Sequence, residues 1–176
     1  MAFPISIHPA DSSHFAALRA IELASFETLR VAGAVSGAAV ASSDEELRCY
    51  LGAGLLLAAF NEGAEPVGFA GASVVDGWLH IGEMDVHPRW QRLGIGRSLL
   101  QALLAQGRAR GLAGASLTTD RLAPFNARFY ASLGFQMAEG DACPSHLMDL
   151  LGQEELRGLD PARRVGMVRG WPASGR

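Results

Sequence analysis

The fold is decided by one segment, Val86-His87-Pro88-Arg89-Trp90-Gln91-Arg92-Leu93-Gly94-Ile95-Gly96-Arg97-Ser98-Leu99-Leu100, in which a strand-like run meets a helix-like run. Between the two runs, Gly94 and Gly96 flank Ile95 in a tight turn. A turn at this place aims free backbone N–H groups, and the positive end of the following helix, at one point. Such a point suits a phosphate group, with the amides from about Arg92 to Arg97 as donors and these two arginines as charge partners.

Two better-known phosphate motifs do not fit this turn. The dinucleotide fingerprint requires a third glycine where the chain has Leu99, and an acidic residue after the next strand. The Walker A motif requires Gly-Lys-Ser/Thr, which does not follow here. The sequence therefore predicts a compact pyrophosphate site of another kind.

Composition limits the class of protein. The chain has 176 residues, 49% of them hydrophobic, which predicts one core and a single domain over residues 1–176. A net charge of -3 argues against nucleic acid as a partner. Cys49 and Cys143 show no disulfide or zinc pattern, and neither a targeting segment nor a membrane-length apolar run is evident, so we expect a cytoplasmic protein without a membrane partner.

Hydrophobic periodicity predicts an α/β protein with a mixed sheet. Strands are expected at residues 5–7, 55–60, 67–74, 79–86, 115–119, 135–137 and 165–169, and helices at 11–26, 43–51, 95–110, 125–133 and 145–156. Ser43 and Glu46 form a capping-box pattern, and the Gly- and Ala-rich stretch from Val31 to Ala41 predicts a mobile loop. The strand–helix–strand unit from Leu79 to Thr119 is expected to be a right-handed parallel crossover, after an antiparallel start.

Two motifs together point to a known family. The first is Gln91-Arg92-Leu93-Gly94-Ile95-Gly96, preceded by Val86-His87-Pro88, and the second is Asn126-Ala127-Arg128-Phe129-Tyr130 followed by Leu133-Gly134-Phe135. In this order and on these elements they resemble the GNAT superfamily of acetyl-CoA-dependent N-acetyltransferases, over about residues 3–138. The resemblance implies a mostly antiparallel sheet of about six to seven strands, flanked by helices, with a splayed central strand pair.

The resemblance also implies acetyl-CoA as co-substrate and no metal. The pyrophosphate is expected on the glycine turn, and the pantetheine arm along the strand that ends at His87. The residues expected to bind it are Met84, Asp85, Val86, His87, Gln91, Arg92, Leu93, Gly94, Ile95, Gly96, Arg97, Ser98, Asn126, Phe129 and Tyr130. Asn126 is also a candidate cap of its short helix.

Transfer of an acetyl group to an amine requires a base, because amines are mostly protonated near neutral pH. Glu83 is the first choice, with Asp85, His80 and His87 as competitors; a bulge in the strand would reverse the side that Glu83 faces. Tyr130 is the candidate acid for the leaving thiolate. Neither cysteine has a recognisable histidine partner, which favours direct attack in a ternary complex over an acetyl-enzyme.

The acceptor stays open at this level. Residues 11–52 are expected to form the acceptor side, residues 79–138 the cofactor-binding core, and residues 145–170 a closing helix and strand. A small-molecule primary amine is the expected acceptor, a protein N-terminus is an alternative, and a homodimer is left open. A non-catalytic acyl-CoA-binding regulatory module is the alternative function.

Overall fold

The computed structural model describes residues 4–31, 33, 35–123 and 125–171, and within them it contains each predicted strand and helix in the predicted order. The strands are β1 (Ser6–Pro9), β2 (Leu56–Phe60), β3 (Pro66–Val75), β4 (Trp78–Val86), β5 (Gly114–Asp120), β6 (Gln136–Ala138) and β7 (Arg164–Gly170). The α-helices are α1 (Phe15–Val31), α2 (Asp44–Gly52), α3 (Ile95–Ala109), α4 (Asn126–Ser132) and α5 (Ser145–Leu156).

The strands form one seven-stranded sheet in the order β1-β2-β3-β4-β5-β7-β6. The pairs β1–β2, β2–β3, β5–β7 and β6–β7 are antiparallel, whereas β4 and β5 are parallel. The parallel ladder has two residue pairs, Leu79 with Ala115 and His80 with Ser116, near the start of both strands. This architecture confirms the predicted mixed, mostly antiparallel sheet, and the short ladder is what a splayed central pair requires.

The chain divides into two compact units. The first unit contains the residues up to Ser73 together with Ile81–Gln106, and the second contains Val74–His80 and the residues from Gly107 onward. The expected single domain therefore stays a prediction. In the first unit, α1 and α2 pack their apolar faces on β2 and β3 through Phe15, Leu18, Ile21, Leu47, Leu56, Ala58, Phe60 and Phe69.

Local sequence signals set most helix ends. The Ser43 hydroxyl accepts the Glu46 N–H at 3.2 Å, and the Glu46 carboxylate accepts the Ser43 N–H at 2.7 Å, which confirms the predicted capping box. Helix α1 extends to Val31, beyond the predicted end at Phe26, because no glycine or proline interrupts it before Gly33. The predicted loop therefore begins where α1 ends; Ala32 and Ala34 lie outside the described residues, and its mobility stays a prediction.

Among the helices of the described part of the chain, none combines the length and the apolar character that a bilayer crossing requires.

Candidate active site

The glycine turn has the predicted position between β4 and α3. Two of its residues, Arg92 at φ 62° and Gly94 at φ 79°, adopt the left-handed conformation that turns the chain sharply. The first helical hydrogen bond runs from the Ser98 N–H to the Gly94 carbonyl at 3.0 Å. The amides of residues 95–97 therefore precede the helical ladder and point along the axis at the positive end of α3.

The space in front of this turn fits an anion. A methyl group placed on Gly94 would meet no atom of the described chain within 4 Å, so the backbone at this point is open to a ligand. Arg92 and Arg97 are both exposed beside it. The turn thus combines backbone donors, positive charge and free approach, as a diphosphate requires.

Two residues expected to bind the cofactor also help to hold the turn in place. The Gln91 Nε2 donates to the Val86 carbonyl at 2.9 Å. The His87 N–H donates to the Val67 carbonyl at 2.9 Å, and its Nδ1 accepts the Arg89 N–H at 3.2 Å. The last of these bonds occupies the Nδ1 of the His87 ring.

Glycines on β3 and β4 show which side of the sheet each residue faces. Gly71 and Gly82 face Tyr50 of α2: a methyl group would lie 2.3 Å from the Tyr50 Cδ2 at Gly71 and 2.2 Å from its hydroxyl oxygen at Gly82. At Gly68, a methyl group would instead meet the Ile95 side chain of α3 at 3.4 Å. Because Gly68 and Gly71 are three residues apart on one strand, α2 and α3 lie on opposite sides of the sheet.

Strand β4 does not alternate strictly between these sides. Gly82 faces α2, whereas the Val86 side chain lies on the α3 side, 3.2 Å from a methyl group placed on Gly68. Residues four apart should face the same side, so one extra residue is inserted between them, as in a β-bulge. The bulge places Glu83 and Asp85 on the side of α1 and α2, which answers the question that the sequence left open.

Three carboxylates converge at this bulge. One oxygen each of Glu22, Glu83 and Asp85 lies within 4.8 Å of the others. Glu22 comes from α1 and is 8% exposed. Its carboxylate accepts the Ser42 N–H at 3.1 and 3.0 Å and the Ser42 hydroxyl at 2.7 Å. Oxygen-rich clusters also suit divalent cations, but a proton shared within the cluster accounts for this close approach by itself.

The proton is placed by the electrostatics of the cluster. Burial, followed by the charge of Asp85, raises the pKa of Glu83 well above its ordinary value. Burial also raises the pKa of Asp85, but hydrogen bonds from Glu83 and Ser25 oppose that rise. The hydrogen bond that the two groups share raises the pKa of Glu83 and lowers that of Asp85, so Glu83 holds the shared proton more tightly than Asp85 does. A carboxyl group with a raised pKa, in contact with a second one, is the arrangement expected of a general base that works near neutral pH.

Tyr50 is the site residue that the sequence did not reveal. Its pKa is raised by burial and then by the charge of Glu83, so its hydroxyl stays protonated beside the cluster. Its ring lies against Gly71 and Gly82, where larger residues would collide with it. Two glycines inside predicted strands were the available signal, since such glycines often mark close approach of another group.

His80, a competing base, is engaged elsewhere. In the second unit, its Nδ1 is 3.0 Å from the Ser116 hydroxyl oxygen, which is 2.8 Å from the His146 Nε2. All three residues are buried. Burial, assisted by His146, lowers the pKa of His80 to about 4, so the ring is neutral at physiological pH. His80 is therefore part of a buried hydrogen-bonded cluster in the second unit.

The second motif forms α4 in the second unit. Helix α4 begins at Asn126, and its cap position falls on Phe125 without a side-chain hydrogen bond, so the expectation that Asn126 caps the helix is wrong. The Tyr130 ring packs edge-on against Phe129 at 5.3 Å and against Phe135 at 6.0 Å between centroids. These contacts fix the plane of the Tyr130 phenol within its unit.

A family model described as "Acetyltransferase (GNAT) family" matches residues 17–135, which include the bulge, the glycine turn and α4. The chain belongs to the GNAT family. The fold agrees with solved GNAT structures, among them a GNAT-family acetyltransferase from Staphylococcus aureus Mu50, with a TM-score of 0.70 and 18% identity over 95% of this chain and 99% of that chain.

Two further structures carry more specific descriptions. The PaiA N-acetyltransferase of Thermoplasma acidophilum, in complex with coenzyme A, has a TM-score of 0.68 and 14% identity over 96% of this chain and 99% of that one. The ribosomal-protein-S18-alanine N-acetyltransferase of Escherichia coli has a TM-score of 0.67 and 20% identity over 98% of this chain and 97% of that one. At these identities the likeness establishes the GNAT fold and does not identify the acceptor.

Proposed function

We propose that this GNAT protein transfers the acetyl group of acetyl-CoA to a primary amine by direct attack in a ternary complex. The observation that carries the proposal is the position of Glu83 and Asp85 on β4, the strand that leads into the glycine turn at the start of α3. One strand thus joins the proposed base to the proposed diphosphate site. Such a pairing suits a substrate that has a diphosphate at one end and a reactive acyl group at the other.

The cofactor is proposed to bind along that strand and turn. The amides of residues 95–97, with the side chains of Arg92 and Arg97, would hold the diphosphate, flanked by Leu93 and Ser98. The backbone of β4 near Met84 is proposed to bond the amides of the pantetheine arm. The coenzyme A bound to the Thermoplasma acidophilum relative supports this choice of ligand. Asn126, Phe129 and Tyr130 are proposed to complete cofactor binding from α4.

Glu83 is the proposed base. A protonated amine cannot attack a carbonyl, so the ammonium proton must first pass to a carboxylate. The raised pKa of Glu83 makes it a stronger proton acceptor than an ordinary glutamate once the shared proton has left. The nitrogen lone pair then forms a bond to the acetyl carbon, the carbon–sulfur bond breaks with its electron pair leaving on the thiolate, and the nitrogen loses its second proton to solvent to give the amide. The proposed role of Tyr130 is to donate its phenol proton to that thiolate.

The acceptor is proposed to be a small-molecule primary amine. A protein N-terminus is the other candidate, and the Escherichia coli relative, described as acetylating an alanine of a ribosomal protein, makes it a specific one. Cys49 and Cys143 are both unpaired thiols, which agrees with the proposed cytoplasmic location.

The proposal is tested by release of coenzyme A, detected with a thiol reagent, across a panel of alkylamines, polyamines, amino acids and short peptides. The chain contains no lysine, so acetylation of its own lysines cannot contribute to the background. We expect Glu83→Gln to lower kcat by about 100-fold or more, Tyr130→Phe to slow turnover without abolishing it, and Glu27→Gln on the exposed side of α1 to change nothing.

Two outcomes would overturn the assignment. Full kcat in Glu83→Gln at every pH would remove Glu83 as the base. Binding of acetyl-CoA without release of coenzyme A from any amine would favour the alternative, an acyl-CoA-binding regulatory module.

A further inference from the structure

Glu22 is a buried carboxylate to which the proposed reaction gives no role. It lies on the apolar face of α1, between the buried residues Ile21 and Ser25. A glutamate at such a position loses its hydration and persists only where hydrogen bonds replace the lost water. Ser42 supplies three such bonds across twenty residues of sequence.

The bonds from Ser42 also distinguish Glu22 from Glu83. Burial raises the pKa of Glu22, but the hydroxyl and amide of Ser42 stabilise its anion and oppose that rise. The Met84 amide opposes the rise in the pKa of Glu83, whereas the charge of Asp85 and the hydrogen bond with Asp85 add to it. The local hydrogen bonds therefore stabilise the anion of Glu22, while Glu83 holds a proton more tightly.

Two ionised carboxylates facing a third one change its chemistry. A like charge within about 4–6 Å disfavours ionisation of its neighbour, and the oxygens of this cluster are within 4.8 Å. In the described part of the chain, the other groups that interact with this cluster include Ser25 from α1 and Tyr50 and Glu46 from α2, and none of these three carries a positive charge. The charge of Glu22 thus adds to burial and to Asp85 in raising the pKa of Glu83.

We propose that Glu22 is a positioning residue for acetyl transfer: its carboxylate, fixed by Ser42, faces Glu83 and keeps that group basic at neutral pH. This inference rests on the proposed function for its catalytic meaning, because Glu83 is the base assigned there. The basicity of Glu83 is then set from the acceptor side of the chain, by Glu22 on α1 and by Ser42 in the segment before α2. Loss of the Glu22 charge lowers the pKa of Glu83 and makes it a weaker base.

The direct test is an infrared titration of the free protein, which follows the carbonyl band of protonated carboxyl groups as the pH is raised. Glu22→Gln keeps the shape of the side chain and removes its charge. We expect the midpoint for loss of the Glu83 proton to fall by about one unit or more. Glu22→Asp keeps a charge but withdraws it by one methylene, so its midpoint should lie between those of Glu22→Gln and the wild type. Glu27→Gln, on the same helix but exposed beside Arg30, should leave the midpoint unchanged.

Turnover provides the second readout. In Glu22→Gln the acidic limb of the pH profile for coenzyme A release should move to lower pH, while the plateau kcat falls because Glu83 is a weaker base. If Glu22 had a structural role alone, Glu22→Gln would lower the free energy of unfolding and leave the acidic limb of the pH profile in place. An unchanged infrared midpoint in Glu22→Gln and Glu22→Asp would overturn the proposal.

The titration needs neither acetyl-CoA nor an acceptor, so it separates two failures. If the midpoint shifts but no amine is acetylated, the proposed function fails and the electrostatic role of Glu22 stands. If amines are acetylated but the midpoint does not shift, the role of Glu22 fails by itself. Glu22→Asp keeps the test decisive if Glu22→Gln does not fold.

Discussion

Alanine at Gly82 should push Tyr50 off the sheet. The added methyl group would lie 2.2 Å from the Tyr50 hydroxyl oxygen, 2.9 Å from Cζ and 3.0 Å from Cε1. The matched change at Gly71 would place a methyl group 2.3 Å from Cδ2, 2.7 Å from Cγ and 2.8 Å from Cε2 of the same ring. Both changes overpack one side chain, but at opposite ends of it.

The two positions should therefore respond differently to removal of the hydroxyl. Overpacking of a well-packed core typically costs about 1–3 kcal/mol. Gly82→Ala should lower the free energy of unfolding by an amount in that range, and Tyr50→Phe in the same chain should restore much of it, because the closest atom is gone. Gly71→Ala should cost at least as much, since atoms near the root of the ring cannot swing away, and Tyr50→Phe should restore little.

Urea unfolding, followed by circular dichroism, measures this double-mutant cycle. Gly170→Ala in β7 is the control, because a methyl group there would meet nothing within 4 Å. The reasoning is refuted if Gly82→Ala costs no more than Gly170→Ala, or if the effects of Gly82→Ala and Tyr50→Phe are additive.

Two further predictions concern pH and stability, and their signs are opposite. The pKa of His80 is about 4 in the folded chain and 6.5 in the unfolded chain, so its contribution to the free energy of unfolding is present above pH 6.5 and is lost as the pH falls toward 4. At about 1.4 kcal/mol per pH unit, that contribution approaches about 3 kcal/mol. His80→Asn should therefore flatten the decline of the free energy of unfolding over this pH range, as measured by urea titrations. Glu83 binds its proton more readily in the folded chain, so its contribution to the free energy of unfolding is present below pH 4.5 and is lost as the pH rises through the raised pKa. Glu83→Gln should therefore raise the free energy of unfolding at pH 8 and not at pH 4. Equal effects at pH 8 and pH 4 would contradict the raised pKa of Glu83.

Local signals in the sequence were sufficient for the elements and the turn. The capping box at Ser43 and the left-handed turn at Gly94 depend on residues within a few positions of each other, and each behaves as predicted. Helix α5 has the bounds that its periodicity indicated. Helix α1 ends later than the spacing of its apolar residues predicts, because no glycine or proline stops it between Phe26 and Val31.

The electrostatics of the site depend on contacts that no local pattern records. No local pattern marks Glu22, yet Ser42, twenty residues further along the chain, holds it in a buried cluster. The side that Glu83 faces depends on the bulge in β4, and the residue types in the sequence do not mark where a bulge occurs. Tyr50 was missed because its partners, Gly71 and Gly82, are on two other elements.

Binding of acetyl-CoA to the turn at the start of α3 is the claim on which the proposed function rests, and isothermal titration calorimetry tests it most directly. Gly94→Asn and Gly94→Asp add side chains of nearly equal size, and both residue types tolerate the left-handed backbone at this position. We expect Gly94→Asn to keep most of the affinity of the wild type and Gly94→Asp to lose about tenfold or more, because its carboxylate repels the diphosphate. Equal affinities in the two variants, or no binding of acetyl-CoA by the wild type, would contradict it.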